Sequence, residues 1–198
     1  MATELTSRPD GRMQVVEALP QRGLLLLDID DVLCMSQPFG GYHARGALWR
    51  PGDESKDIWE KLFHPKAVTA TQELMRECRP RVVLTTSWLS ILERQHFVEV
   101  FLRTGLEAVA EALHEHWDAP ADPGESRHTA ISNWLKAHHR GEPLLILDDL
   151  QSGESLVESE WDAAGHQILC EPERGFHAGL LPKAMQALRT PYVKPAWW

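Results

Sequence analysis

Three short apolar runs, each ending in a polar cluster, constrain this chain more than any other feature. LLLLDIDD closes on Asp28, Asp30 and Asp31; VVLTTSW closes on Thr85, Thr86 and Ser87; LLILDD closes on Asp148 and Asp149. Aliphatic runs without polar alternation suit strands buried on both faces, and a parallel sheet covered by helices provides two buried faces. Leu24–Leu27, Val82–Leu84 and Leu144–Leu147 are therefore predicted strands, with Ile168–Cys170 a weaker fourth. Between them Val68, Leu74, Met75 and Cys78 share one helical face, as do Ile131, Trp134, Leu135 and His138, and later Leu181, Ala184, Met185 and Leu188. This alternation predicts an α/β fold: a three-layer α/β/α Rossmann-like parallel sheet.

With 198 residues, 43% of them hydrophobic, the chain can bury one sizeable core, so a single domain is expected over residues 1–198. Residues 1–20 read as a peripheral arm and 190–198 as a tail whose Trp197 and Trp198 need burial on the body or on a second subunit. Gln37–Glu54, with four Gly and two Pro, reads as a long irregular loop within a segment 34–56, while residues 105–125 stay open between a short strand, a helix, and an edge element followed by a loop at Pro120–Gly124.

Twenty basic against twenty-nine acidic residues leave a net charge of -9, which excludes holding nucleic acid by bulk electrostatics but leaves a local basic pocket open. Residues 1–22 carry Glu4, Asp10 and Glu17 and no apolar run, and no window approaches the roughly 18 apolar residues of a membrane span. A cytoplasmic protein with no membrane partner is expected. Cys34, Cys78 and Cys170 are odd in number and lack CxxC spacing, so they read as reduced thiols. His114 with His116, and His138 with His139, lack an acidic or cysteine partner at ligand spacing and do not read as a metal site.

In open parallel sheets ligands bind beyond the carboxyl ends of the strands, which is where all three polar clusters fall. Carboxylates gathered there repel one another unless a cation neutralises them, and an all-oxygen donor set suits magnesium. Magnesium so held keeps positions for a substrate phosphate, and neighbouring hydroxyls donate to phosphate oxygens. Phosphoryl transfer is the expected chemistry.

In the same order, these motifs resemble those of the haloacid dehalogenase (HAD) superfamily of aspartate-dependent phosphohydrolases. LLLLDIDDVL is similar to the first motif, a strand followed by DxDx(T/V), and VVLTTSW to the second, a strand ending in Thr or Ser. Arg127 in ESRHTAISNWL resembles the third, a cation at the start of a helix, and LLILDD the acidic fourth. The pairing of DIDDVL with TTSW is similar, more narrowly, to the small HAD domains associated with RNA repair proteins. Asp31 departs from the pattern, since relatives often carry Gly there.

The resemblance implies that Asp28 is the nucleophile that forms an aspartyl-phosphate, and that Asp30 is the general acid and base. It implies magnesium held by Asp28, the backbone carbonyl of Asp30 and Asp149, with Asp148 orienting rather than holding the ion, and phosphoryl oxygens bound by Thr86 and Arg127. Thr85 competes with Thr86 because alternate strand residues face opposite sides, and His128 stands behind Arg127 as its alternative. Lys136 lies nine residues further along the helix, too far from the sheet edge. The family's flap would fall on segment 34–56, where Tyr42, His43 and Trp49 are expected to pack the loop; Trp88 is expected in the core near the site.

Only 46 residues separate Cys34 from Arg81, leaving little or no room for a cap domain. The expected function is a magnesium-dependent phosphatase of phosphomonoesters, its phosphorylated substrate a small molecule or a nucleic-acid end, with the oligomeric state open. Two other readings compete, a catalytically silent HAD scaffold and a receiver-like signalling domain. Intact Asp28 and Asp30 count against the first. In a receiver the second acidic site precedes the Thr, the reverse of the order here. Dehalogenase chemistry would not need Asp30.

Overall fold

A computed structural model describes residues 22–193 and the backbone of two strands before them, β1 (Thr3–Ser7) and β2 (Met13–Glu17), which pair antiparallel. Trp197 and Trp198 lie outside the described residues.

The apolar runs need burial on both sides, and each is a strand of one parallel sheet. Its strands are β3 (Leu24–Leu27), β4 (Arg81–Leu84), β5 (Leu113–Asp118), β6 (Leu144–Asp149) and β7 (Gln167–Cys170), in the spatial order β5-β4-β3-β6-β7. Leu25, Leu27, Val82, Leu84, Leu145 and Leu147 point to one face, where α3 (Pro65–Cys78), α4 (Arg94–Arg103) and α8 (Leu181–Ala187) cover them. Leu24, Leu26, Val83, Leu144 and Ile146 point to the other, against Ile131, Trp134 and Leu135 of α6 (Arg127–His138) and Trp161 of α7 (Glu160–Ala163). These are the three expected layers. Among the described residues no helix is long and apolar enough to cross a membrane.

From β3 the chain steps outward to β4 and β5, then returns to the opposite side of β3 for β6 and β7. The order therefore reverses between β3 and β6, and the crevice at such a switch point is where parallel sheets bind ligands.

Segment 105–125 uses both of the conformations left open for it: α5 (Glu107–Glu111) leads into the edge strand β5. One expectation is corrected. Gln37–Glu54 is not irregular throughout, because Gly41–Trp49 forms helix α1, followed after a turn by the single-turn α2 (Ile58–Lys61). Two of the glycines misled because, inside the helix, they serve close contacts rather than turns. A β-carbon on Gly41 would stand 2.8 Å from Cε2 of Trp88, and Gly46 lies against Glu54, while Ala44 and Ala47 bury the helix's inner face.

Candidate active site

Strand register builds the first half of the site. Leu27 pairs with Leu84 on one side and Leu147 on the other, so the next residues, Asp28, Thr85 and Asp148, stand abreast where β3 and β4 end, while β6 runs on to Asp149 beside β7. The Asp28 N–H still donates to Leu147 O at 2.9 Å, and the Thr85 N–H to Leu27 O at 2.9 Å. Asp28, Asp148 and Asp149 are all at most 1% exposed, and one carboxylate oxygen of each lies within 4.8 Å of the others.

Arg127 enters this rack from the first residue of α6, whose amino end is capped by Ser126 Oγ accepting from the Thr129 N–H. One guanidinium nitrogen donates to Asp28 Oδ1 at 3.1 Å, and Nε lies 2.9 Å from Asp148 Oδ2 as an ion pair whose N–H is not aimed for a hydrogen bond. Asp148 Oδ1 accepts the Asp149 N–H, and Asp149 Oδ1 accepts the N–H groups of Gln151 and Ser152 at 2.6 and 2.9 Å. The second oxygens of Asp28 and Asp149 are buried and have no hydrogen-bond partner.

Three carboxylates around one guanidinium cannot all ionise comfortably in a buried place. Burial, then the Asp148 charge, push Asp28 well above the usual carboxylate range despite Arg127. Burial likewise raises Asp148 to about 7, with Arg127 pulling the other way. Unpaired oxygens in an all-carboxylate set fit a hard divalent cation.

The second half of the site is the turn after β3, where the N–H groups of Val32, Leu33 and Cys34 all reach Ile29 O. Asp31 sits here in the left-handed region at φ 53°, a backbone conformation that glycine adopts most readily. Burial, then the charges of Asp149, Asp30 and Glu173, raise the Asp31 carboxyl. Asp30 turns away from the three buried carboxylates. Its two oxygens share the indole N–H of Trp88 at 3.0 Å each, Oδ2 also accepts from Ser87 Oγ at 3.0 Å, and Oδ1 from Ser36 Oγ at 3.4 Å.

Thr85, Thr86, Ser87, Arg127 and Ser152 line one cavity of about 440 Å³ above the strand ends. The alternation argument does not separate the two threonines, because β4 ends at Leu84 and both line this cavity. They differ in partners: Thr86 Oγ1 accepts the Trp88 N–H at 3.3 Å, and the buried Thr85 Oγ1 has none. His128 is not among the lining residues of that cavity; its Nε2 lies 3.2 Å from Glu160 and its ring packs on Trp161.

Sequence reasoning missed Trp88 and Ser87 as partners of Asp30. The signal was available in principle: a buried indole needs an acceptor, and TTSW puts one beside the strand ends. Missing from the sequence was how the flap folds back. Arg45 of α1 stacks on Trp49 at 4.2 Å, and with His96 they line a smaller groove of about 230 Å³ that shares Leu89 and Ser90 with the first cavity. Arg50 instead faces solvent, 4.0 Å from Asp53.

A family model described as the HAD domain in Swiss Army Knife RNA repair proteins matches residues 24–179, from the first residue of β3 to the turn before α8. No curated protein and no solved structure matches the chain significantly.

Proposed function

The chain belongs to the family of HAD domains found in Swiss Army Knife RNA repair proteins, and from that premise we propose that it is a magnesium-dependent phosphatase acting on terminal phosphomonoesters of nucleic acid. The observation that carries this reading is the buried set Asp28, Asp148 and Asp149, with unpaired oxygens on two of them and Arg127 alongside. Asp28 and Asp149, with the Asp30 carbonyl, would hold the ion, and Asp148, tied to Arg127 and to its own backbone, would orient them. Magnesium, when bound, screens the carboxylates from one another and from an incoming phosphate.

The protein's own groups then divide the work. Asp28 attacks phosphorus in line, forming an aspartyl-phosphate as the bond to the leaving oxygen breaks. Asp30 gives that oxygen its proton, and later takes one from the water that cleaves the intermediate. Arg127 and Thr86 donate to the phosphoryl oxygens as their charge develops. Arg127 must loosen its hold on Asp28 as phosphate arrives; its second contact, with Asp148, keeps it in place.

Two features favour a nucleic-acid end over a small phosphomonoester. One is the family; the other is the adjoining groove, where half-exposed Trp49 and Arg45 offer a stacking face and a cation for the nucleotide next to the terminal phosphate. With a net charge of -9, such binding relies on local cations. The test is hydrolysis of an aryl phosphate and of 3′- and 5′-phosphorylated oligonucleotides, with magnesium or chelator. Activity should require magnesium, and the oligonucleotide preference should weaken from roughly 50 to 200 mM salt and in Arg45→Ala. Full activity in chelator would remove the metal, and an oligonucleotide preference indifferent to salt and to Arg45 would remove the groove.

A further inference from the structure

We propose that Trp88 is a positioning residue for proton transfer by Asp30, and that helix α1 of the flap in turn sets Trp88. Trp88 is 2% exposed, so water cannot satisfy its indole N–H, and among the described residues the acceptor it meets is Asp30, with both oxygens at 3.0 Å. A single N–H shared equally by two oxygens lies near the axis that bisects the carboxylate, and it therefore fixes where the group points. The indole donates and cannot accept, so it holds Asp30 without competing for the proton that Asp30 transfers. Ser87 and Ser36 add one hydroxyl to each oxygen, but both are exposed and replaceable by water.

The ring is fixed from several sides. Phe63 packs on it at 6.2 Å between centroids, and its backbone N–H is tied to Thr86 Oγ1, so the turn that presents the phosphate-binding hydroxyl also presents the indole. Gly41, the first residue of α1, closes the remaining side. A β-carbon there would stand 2.8, 2.9 and 3.0 Å from Cε2, Nε1 and Cδ1, so no other residue fits without moving the ring, and the nitrogen among those atoms is the one that holds Asp30. The position of the flap helix is thereby transmitted to the proton-transfer group through one ring.

This inference rests on the reading of Asp30 as general acid and base, and its test separates the two. Phosphomonoesters with weakly basic leaving groups, such as nitrophenol, leave without a proton, whereas an alkyl or nucleoside hydroxyl needs one. In Trp88→Phe, which keeps a buried ring and loses the N–H, kcat/KM should drop about tenfold or more for alkyl and nucleoside phosphates and little for the nitrophenyl ester. Gly41→Ala, which keeps the indole N–H but shifts the ring that carries it, should show a smaller loss with the same leaving-group dependence, and serves if Trp88→Phe does not fold. An equal loss across leaving groups would overturn the assignment and reduce Trp88 to packing. A readout without turnover is the indole N–H resonance that disappears in Trp88→Phe. It should lie downfield in the unaltered chain and move upfield in Asp30→Ala, and a resonance that ignores Asp30 would overturn the contact. Absence of any turnover in the unaltered chain would instead remove the phosphatase reading itself.

Discussion

Asp28 and Asp30 are two residues apart, yet the fold gives them opposite surroundings. Asp28 is a strand end: sheet register places it, backbone hydrogen bonds hold it, and it shares a buried space with two other carboxylates and a guanidinium. Asp30 lies on a turn, half-buried, its backbone bridged to Cys34 and its carboxylate held by the side chains of Ser36, Ser87 and Trp88. Rigid placement suits an atom that must attack in line. A group that gives a proton and then takes one back needs a defined direction and access to water, and the turn supplies both.

The largest effects should come from abolishing this division. Asp28→Asn should leave no covalent intermediate and lower kcat by about 10⁴-fold or more. Asp30→Asn should slow both formation and hydrolysis of the intermediate, by about 10²- to 10⁴-fold. Single-turnover kinetics with trapping of phosphorylated protein distinguishes them. Intermediate formed in Asp28→Asn would reassign the nucleophile.

A weaker division runs between Asp148 and Asp149. Asp149 has one oxygen fully engaged by two backbone N–H groups and the other unpaired, whereas Asp148 is tied to Arg127 and to the backbone. Asp149→Asn should therefore raise the magnesium needed for half-maximal rate by at least tenfold or abolish turnover, and Asp148→Asn should be milder. Magnesium titration of both variants checks this, and the reverse order would exchange their roles.

The Asp28 half was legible in the sequence and much of the Asp30 half was not. Short apolar runs specify buried strands, and parallel sheets bind ligands beyond the carboxyl ends of their strands, so the polar residues that close LLLLD, VVLTT and LLILDD point to a shared edge. Arg127 came from the resemblance to the third motif, and the structure adds that Ser126 caps α6 so that the arginine enters at this edge. Thr85 against Thr86 was not decidable, because side-chain alternation ends with the strand. Trp88, Ser87 and Ser36 reach Asp30 through tertiary contacts between the turn after β3, the turn after β4 and the flap, and no periodicity encodes such meetings. The same blindness made α1 look like a loop: its first residue, Gly41, answers to a ring 47 residues away in the chain, and Gly46 to Glu54.

The Asp28 half also makes stability depend on pH. In the unfolded chain Asp28 and Asp148 titrate near 3.8; folded, burial raises both, Asp148 to about 7. The folded state thus keeps protons that the unfolded state has lost, and this contribution to stability is complete below about 3.8 and lost as pH rises through about 7. The metal-free protein should melt lower at pH 8 than at pH 5, and the increase in Tm on adding magnesium should grow across that interval. Burial lowers the pKa of His114 and His138, which act in the opposite sense below 6.5 and cancel in the difference between samples with and without magnesium. A magnesium increment independent of pH would show that the ion binds away from the buried carboxylates.

Asp31 stands between the halves, and its smaller effect decides to which of them it belongs. It carries a left-handed backbone at φ 53°, where a non-glycine residue costs about 1 kcal/mol and Asp or Asn is better tolerated than most. Burial, then the Asp149 charge, raises its carboxyl, so it stands close enough to Asp149 to add charge to a cation held there. Asp31→Asn removes the charge and keeps the backbone; Asp31→Gly removes both the charge and the strain. If Asp31 strengthens the hold on magnesium, both variants should raise the magnesium requirement by the same factor, about two- to fivefold for a half-exposed charge, with unchanged leaving-group dependence. Asp31→Gly should in addition raise the Tm of the metal-free protein, since the turn no longer forces a side chain into the left-handed region. A change in leaving-group dependence with an unchanged magnesium requirement would instead assign Asp31 to the Asp30 half, as a charge that steers the proton rather than the ion.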